Sequence, residues 1–169
     1  MGDWRDMDAA FAAIDGVSAE RDVRMERRTT LRVGGPADLF VRVTRRSALP
    51  CVLALLKAEG TPWMAVGAGS NLLVTDEGIE GVVLMLGGEF GTVDVADAEA
   101  PGRATLEAGA SAWLPMVVGT AERGDLSGLD GLTGIPGTLG GAVVMNAGTR
   151  HGELSGALLD CTIASASGE

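Results

Sequence analysis

The segment GLDGLTGIPGTLGGAVVMNAG, residues 128–148, places glycine at 128, 131, 134, 137 and 140, then again at 141 and 148. Glycine loses more conformational freedom on folding than any other residue, so a run this dense needs a physical reason. A collagen triplet would need a far longer run rich in proline, and Pro136 is the one proline in this stretch. A flexible linker would not interleave Ile135, Leu139, Val143, Val144 and Met145. The pattern predicts a packed loop whose glycines reach positive φ and let another body approach the backbone.

A second glycine site, Gly67-Ala68-Gly69-Ser70-Asn71, directly follows the apolar run WMAV, where a phosphate-cradling turn would sit. A dinucleotide fingerprint would continue with glycine at 72 and a helix, but Leu72 stands there and LLVTDEG reads as strand and turn. A Walker loop would need Gly-Lys-Ser or Gly-Lys-Thr, and the sequence has neither. What remains is a nest of backbone N–H groups, with Ser70 and Asn71 donating as well, that grips an anion without a lysine or a helix dipole. Alone, GAGSN is equally well explained by a plain β-turn. Beside the loop at 128–148 the nest becomes the stronger reading.

Charge narrows the partners. The 169 residues carry 13 Lys and Arg against 23 Asp and Glu, a net charge of -10, which argues against nucleic acid or an anionic membrane surface. No apolar run approaches the roughly 20 residues of a membrane helix. A bound anion is therefore expected to be held mainly by backbone dipoles. Cys51 and Cys161 lie in apolar contexts without His or Cys at metal-ligand spacing, so both are expected to be buried thiols, as in a reducing cytoplasm, and no metal site is expected.

The remaining grammar is mixed α and β. Residues 1–22 form an N-terminal segment with an amphipathic stretch at Met7, Phe11 and Ile14. TTLRVGG and DLFVRV read as strands around a Gly34-Gly35-Pro36 turn. SALPCVLALLKAEG reads as a helix capped by Ser47 and ended by Gly60, and WMAV returns as a buried strand, which favours a parallel pair with a right-handed crossover. LLV, GVVLML, GTVDV and ATLEAG read as short strands, and SAWLPMVVGTAERG as a helix from Ser111 to Gly124. ALLDCTIASASGE, ending at Glu169, reads as a last strand with a turn signal and no returning partner, so the sheet is expected to be incomplete.

TTLRVGGPADLFVRV, VGAGSNLLVTDEGIEGVVLML, LEAGASAWLPMVVGTAERGDLSGLDGLTGIPGTLGGAVVMNAG and the following GEL resemble, in order and spacing, the flavin-binding part of the UDP-N-acetylenolpyruvoylglucosamine reductase (UDP-N-acetylmuramate dehydrogenase) family. The resemblance covers residues 27 to 169. It implies an α+β, two-lobed FAD-binding domain of the vanillyl-alcohol oxidase (PCMH) type, with residues 23–67 as first lobe, 68–169 as an incomplete second lobe, and no C-terminal substrate domain.

The resemblance further implies a cytoplasmic NADPH-dependent oxidoreductase of peptidoglycan synthesis, with non-covalent FAD, a UDP-sugar substrate, and a missing C-terminal segment or second chain as partner. Gly67, Ala68, Gly69, Ser70, Asn71 and Leu72 would hold the FAD diphosphate. Gly134, Ile135, Pro136, Gly137, Thr138, Gly140 and Gly141 would pass close to the cofactor, with Asn146, Ala147 and Gly148 beside them. A side chain at Gly69 or Gly137 would then occupy the approach to FAD. The family's catalytic serine, glutamate and arginine belong to segments expected beyond Glu169, so no catalytic residue is expected within these 169 residues. Many members also carry an aromatic residue where Thr149, Arg150 and His151 follow the Asn-Ala-Gly element, and His151 reads as a solvated loop residue. Two other readings stay open: a nucleotide-binding or interaction module without catalysis, and a different flavin oxidoreductase of the same class.

Overall fold

IEGVVLML is apolar along almost its whole length, as a strand buried on both faces must be. In the computed structural model, which describes residues 7–97 and 101–165, it forms β4 (Ile79–Leu86), with Val82, Val83 and Leu84 buried. Four strands make the sheet, in the order β1-β2-β4-β3. β2 (Pro36–Val43) and β3 (Trp63–Val66) flank β4 and run parallel to it, with Phe40 and Met64 both opposite Val83. β1 (Val17–Arg24) closes the other side, antiparallel to β2.

The expected crossover from β2 through a helix to β3 is present, but β4 inserts between the two strands. The connecting helix is α2 (Leu49–Glu59), which buries Val52, Leu53 and Leu56 and ends on Gly60 at φ 64. Ser47 lies in a 3-10 turn ahead of it, and Ala48 takes the cap position without a side-chain hydrogen bond. Cys51 is exposed, not buried, because its position falls off the stripe of Val52, Leu53 and Leu56. β3 is an edge strand with alternate residues exposed, so WMAV is only half covered.

TTLRVGG is not a strand. The Thr29 hydroxyl donates to the Val33 carbonyl at 2.9 Å and Arg32 sits at φ 54, so the chain folds back on itself. The ladder position beside β2 goes to VSAERDVR instead, whose charged residues face solvent on an edge strand. LLV also fails to pair: Leu72 and Val74 pack down on one sheet face with Met25, Phe40 and Val83. That face is covered by two loops, 25–35 and 67–78.

The chain divides after Gly88. The second compact unit is Glu89–Cys161. The boundary expected at 67/68 falls inside the first unit, because β3 and β4 belong to one sheet. The second unit contains a hairpin of β5 (Val93–Asp97) and β6 (Ala104–Ala108), then helices α3 (Leu114–Arg123) and α4 (Leu139–Met145). α3 begins later than Ser111 because Trp113 is extended and bridges to Thr138. Leu114, Val118, Leu132, Ala142 and Leu154 form this unit's core. A small hairpin, β7 (Gly148–Thr149) with β8 (Gly152–Glu153), follows α4. The strand expected in ALLDCTIASASGE is not formed: residues 157–165 adopt no ladder, leaving Cys161 exposed and Leu159 and Ile163 largely uncovered. The turn expected after them, running to Glu169, lies outside the described residues.

At the start of the first unit, α1 (Asp8–Ala12) is tied to β1 by Arg21, which donates to both oxygens of Asp8 at 2.9 and 2.8 Å. These bonds hold the Asp8 carboxyl at about 2, against the usual 3.8. A depressed carboxyl stabilises the fold above its ordinary titration range and loses that contribution as pH falls through the folded value. Asp8→Asn is therefore expected to lower the melting temperature slightly at neutral pH, with the gap to the parent closing as pH falls from about 4 to about 2; a pH series of thermal melts checks it.

Candidate functional site

Gly67 and Ala68 leave the end of β3 and line a cavity of about 260 Å³. Its floor is Phe40 and Met85 from the sheet, and Val66 stands beside the turn. The opposite wall is the first turn of the 25–35 loop, residues Arg27, Arg28, Thr29 and Thr30. Arg28 lies over the Phe40 ring, its guanidinium carbon 4.7 Å from the centroid, a distance at which the cation is attracted to the ring face. Among the described residues the amides of Gly67, Ala68 and Gly69 donate to no backbone carbonyl. Unspent N–H groups on a turn that lines one cavity with two cations make a setting for an anion.

Gly69 does a different task from its neighbours. It is buried at φ 66, and a Cβ built on it would run into the Arg28 carbonyl oxygen and the Thr29 backbone. The Thr30 amide donates to the Gly69 carbonyl at 3.0 Å. The absent side chain thus makes room for the chain's own 28–30 turn, which is held against 67–69 and so shapes the cavity. Ser70 and Asn71 continue the turn, with Asn71 exposed, and Leu72 packs into the first core rather than the cavity.

The predicted residues of the second loop lie in the other unit, and part of that loop is a helix. Thr138 caps α4, its hydroxyl accepting from the Gly141 amide at 3.4 Å. The Leu139 amide donates to the Ala112 carbonyl and the Gly140 amide to the Ala110 carbonyl, both at 2.8 Å. Gly140 must lack a side chain, since a Cβ would press on Ala110. The amides at the start of α4 are therefore engaged by the chain itself. Gly137 is buried at φ 116, and its carbonyl accepts from the Leu114 amide at 2.8 Å. Ile135 and Ala147 pack on the second core.

Gly134, Pro136, Gly141, Asn146 and Gly148 are exposed. Asn146 ends α4 at φ 44, and its side-chain oxygen accepts from the Ser155 amide at 2.9 Å. Gly148 lies against Glu153 in the small hairpin, where the Thr149 hydroxyl ties back to the Gly131 carbonyl at 2.9 Å. Arg150 and His151 are exposed, and Arg150 Nε donates to His151 Nε2 at 2.9 Å, so His151 sits in solvent as its loop context suggests. Ser155 hydrogen-bonds Glu153 at 2.8 Å and holds that carboxyl below the usual range, together with Asn146. Sequence reasoning misses Arg27, Arg28, Thr29 and Thr30 because TTLRVGG reads as a strand; the adjacent pair of arginines ahead of it is the available signal.

No group of three or more metal-ligating side chains is brought together among the described residues, and none of the helices described there is long and apolar enough to cross a membrane. An FAD binding domain model matches residues 37–168. The chain is 40% identical to UDP-N-acetylenolpyruvoylglucosamine reductase of Agathobacter rectalis, over 88% of this chain and 49% of that protein. It is 47% identical to the Thermus thermophilus reductase, over 77% of this chain and 43% of that one. The crystal structure of UDP-N-acetylenolpyruvylglucosamine reductase (MurB) from Thermus caldophilus superposes with a TM-score of 0.65 at 44% identity, covering 81% of this chain and 45% of that chain. The chain thus spans less than half the length of these relatives.

Gly69→Ala is expected to destabilise the chain by about 2–3 kcal/mol whether or not a ligand is present, because the φ and the Arg28 backbone both reject a Cβ. Urea unfolding in the absence of any nucleotide checks this. Unchanged stability there would return Gly69 to a role in the ligand's approach.

Proposed function

The chain belongs to the FAD binding domain family, and from that premise we propose that it forms the FAD-holding part of a UDP-N-acetylenolpyruvoylglucosamine reductase that works with NADPH in the cytoplasm to make UDP-N-acetylmuramate for peptidoglycan. The observation that carries the reading is the turn at Gly67 and Ala68: unspent backbone amides at the mouth of a cavity, on the motif by which the chain resembles the reductases. The residues fit the group. FAD brings an anionic diphosphate between flat, largely apolar rings, and the cavity offers N–H donors, cationic side chains and an aromatic and thioether floor. Its 260 Å³ lies below the roughly 300–1,000 Å³ of a complete small-molecule site, so the first unit receives part of the cofactor.

Gly67 and Ala68 orient the diphosphate through their amides, Gly69 locks their turn against residues 28–30, and Ser70 and Asn71 complete it, with Leu72 anchoring it to the core. On the second unit, Gly134, Pro136, Gly141, Asn146 and Gly148 present the exposed backbone that passes beside the cofactor, while Ile135, Gly137, Thr138, Gly140 and Ala147 hold that backbone in shape. When bound, FAD supplies the hydride that reduces the enolpyruvyl double bond. Protonation of the second carbon needs an acid aimed at it. No side chain between Met1 and Glu169 is assigned that role; Ser155, for example, is engaged with Glu153. The acid, and the contacts that read the UDP-sugar, are assigned to chain beyond the part shared with the longer relatives.

The test is the visible spectrum of the purified chain after incubation with FAD and removal of free cofactor, with circular dichroism on the same sample. A flavin band retained on folded protein is expected. Ala68→Glu, which puts a carboxylate into the half-buried wall, is expected to weaken FAD binding at least tenfold, the effect of replacing an attractive contact by like-charge repulsion, with no loss of melting temperature. Folded protein that retains no flavin would overturn the reading in favour of a module without the cofactor.

A further inference from the structure

Arg27 and Arg28 are the residues of the first unit that the FAD motif does not account for. Both line the cavity beside Gly67 and Ala68, and both also line a second cavity of about 330 Å³ on the strand side of the same turn, next to Glu20, Asp22 and Arg24. They stand as a wall between the two. In a chain with 23 carboxylate side chains to 13 cationic ones, a carboxylate is the easiest partner for an arginine to acquire. Arg21 pairs with Asp8, Arg24 with Glu26 and Arg45 with Asp15, each at 2.8 or 2.9 Å. Among the described residues, Arg27 and Arg28 make no such ion pair. Instead Arg28 is laid over Phe40, which is almost fully buried and cannot turn away.

Two adjacent cations repel one another; Glu26 offsets part of that for Arg27 by through-space attraction without an ion pair, and an anion joining both arginines would offset more. The stack on Phe40 spends only the face of the Arg28 guanidinium, leaving its in-plane N–H donors for a ligand, and a planar fork suits the oxygens of a phosphate. The Thr30 side chain, exposed on the same wall, adds a hydroxyl.

We propose that Arg27 and Arg28 form a cationic clamp for a nucleotide diphosphate, closing from the loop side on the group that the Gly67–Ala68 amides hold from the strand side. The inference rests on the FAD reading above for the identity of the nucleotide. It adds two side chains to the backbone dipoles expected to be the main hold on an anion in so acidic a chain: the clamp is local, and the net charge of the whole molecule does not describe it. A nucleoside diphosphate is also present in the UDP-sugar, so the test must separate the two sources.

The experiment compares the parent chain with Arg27→Gln, Arg28→Gln, the double variant and Arg28→Lys. Flavin fluorescence reads FAD binding at low and high salt, UDP is added as competitor, and thermal melts are run with and without inorganic pyrophosphate. Each glutamine variant is expected to weaken FAD binding about tenfold, the loss of one charged hydrogen bond, and the double variant more, with a flatter salt dependence. Arg28→Lys keeps the charge without the fork and should fall between. Pyrophosphate should raise the parent's melting temperature and leave the double variant's unchanged. Parent and double variant binding FAD equally, with the same salt dependence, would overturn the clamp while leaving the FAD reading intact. If the parent binds no FAD but pyrophosphate still stabilises it through the arginines, the clamp stands and the FAD reading fails. Displacement of FAD by UDP, lost in the double variant while FAD affinity is kept, would move the clamp to the substrate; no arginine-dependent response to any of the three anions would overturn it outright.

Discussion

The contact on which the first unit's site depends is the one between Gly69 and the 28–30 turn. The loop at 25–35 and the loop at 67–78 both cross the same sheet face, above Phe40 and Val83, and each alone would be a surface excursion. They are joined at one end by the Thr30 amide on the Gly69 carbonyl and at the other by the Gly35 amide on the Thr75 carbonyl, at 3.0 and 2.7 Å. A backbone-to-backbone approach this close excludes any Cβ at Gly69. With the loops locked, Gly67 and Ala68 line one cavity with Arg27 and Arg28. The parallel pairing of β2 with β4 makes this possible: the chain entering each of these strands arrives at the same end of the sheet.

Much of this is legible in the sequence, and the failures have a common cause. The α+β class, α2 with its Gly60 stop, the strands β2, β4, β5 and β6, and the similarity to the reductases all follow from apolar periodicity or from motif order. β1 is hidden because an edge strand keeps charges on its open face, so VSAERDVR looks like a solvated segment. TTLRVGG misleads for the opposite reason. β-branched residues favour extended backbone, but here Thr29 spends its hydroxyl on Val33 and Arg32 takes a left-handed conformation, and local hydrogen bonding wins over propensity. Ser111 loses its cap position to tertiary pairing, the Trp113 bridge to Thr138, and Ser47 loses its own to the local 3-10 turn at Arg46–Ala48. The cysteines mislead because apolar neighbours in sequence say little about which side of a helix faces out.

The glycine loops show how far a motif can be read before coordinates are needed. Glycine in both is expected for one purpose, the approach of a ligand to the backbone. In the structure Gly69, Gly137 and Gly140 are glycine for the chain's own sake: each sits at positive φ or against a neighbouring strand or turn of protein. Sequence cannot distinguish a Cβ excluded by a ligand from one excluded by backbone, because both leave the same letter.

The two loops consequently contribute different chemistry. Around α4 the amides of Leu139, Gly140 and Gly141 all have acceptors within the chain, so the short helix has no donors left at its start and its dipole faces carbonyl oxygens already in place. At Gly67 and Ala68 the amides are unspent, and they share a cavity with two arginines that make no ion pair among the described residues. Free backbone donors for an anion are therefore found on the turn of the first unit, while the start of α4 in the second unit has none to offer. The net charge of -10 says little about so local a setting, because exposed charges more than about 10 Å away are largely screened at physiological salt, whereas the nearby Glu20, Asp22 and Glu26 are felt by the arginines.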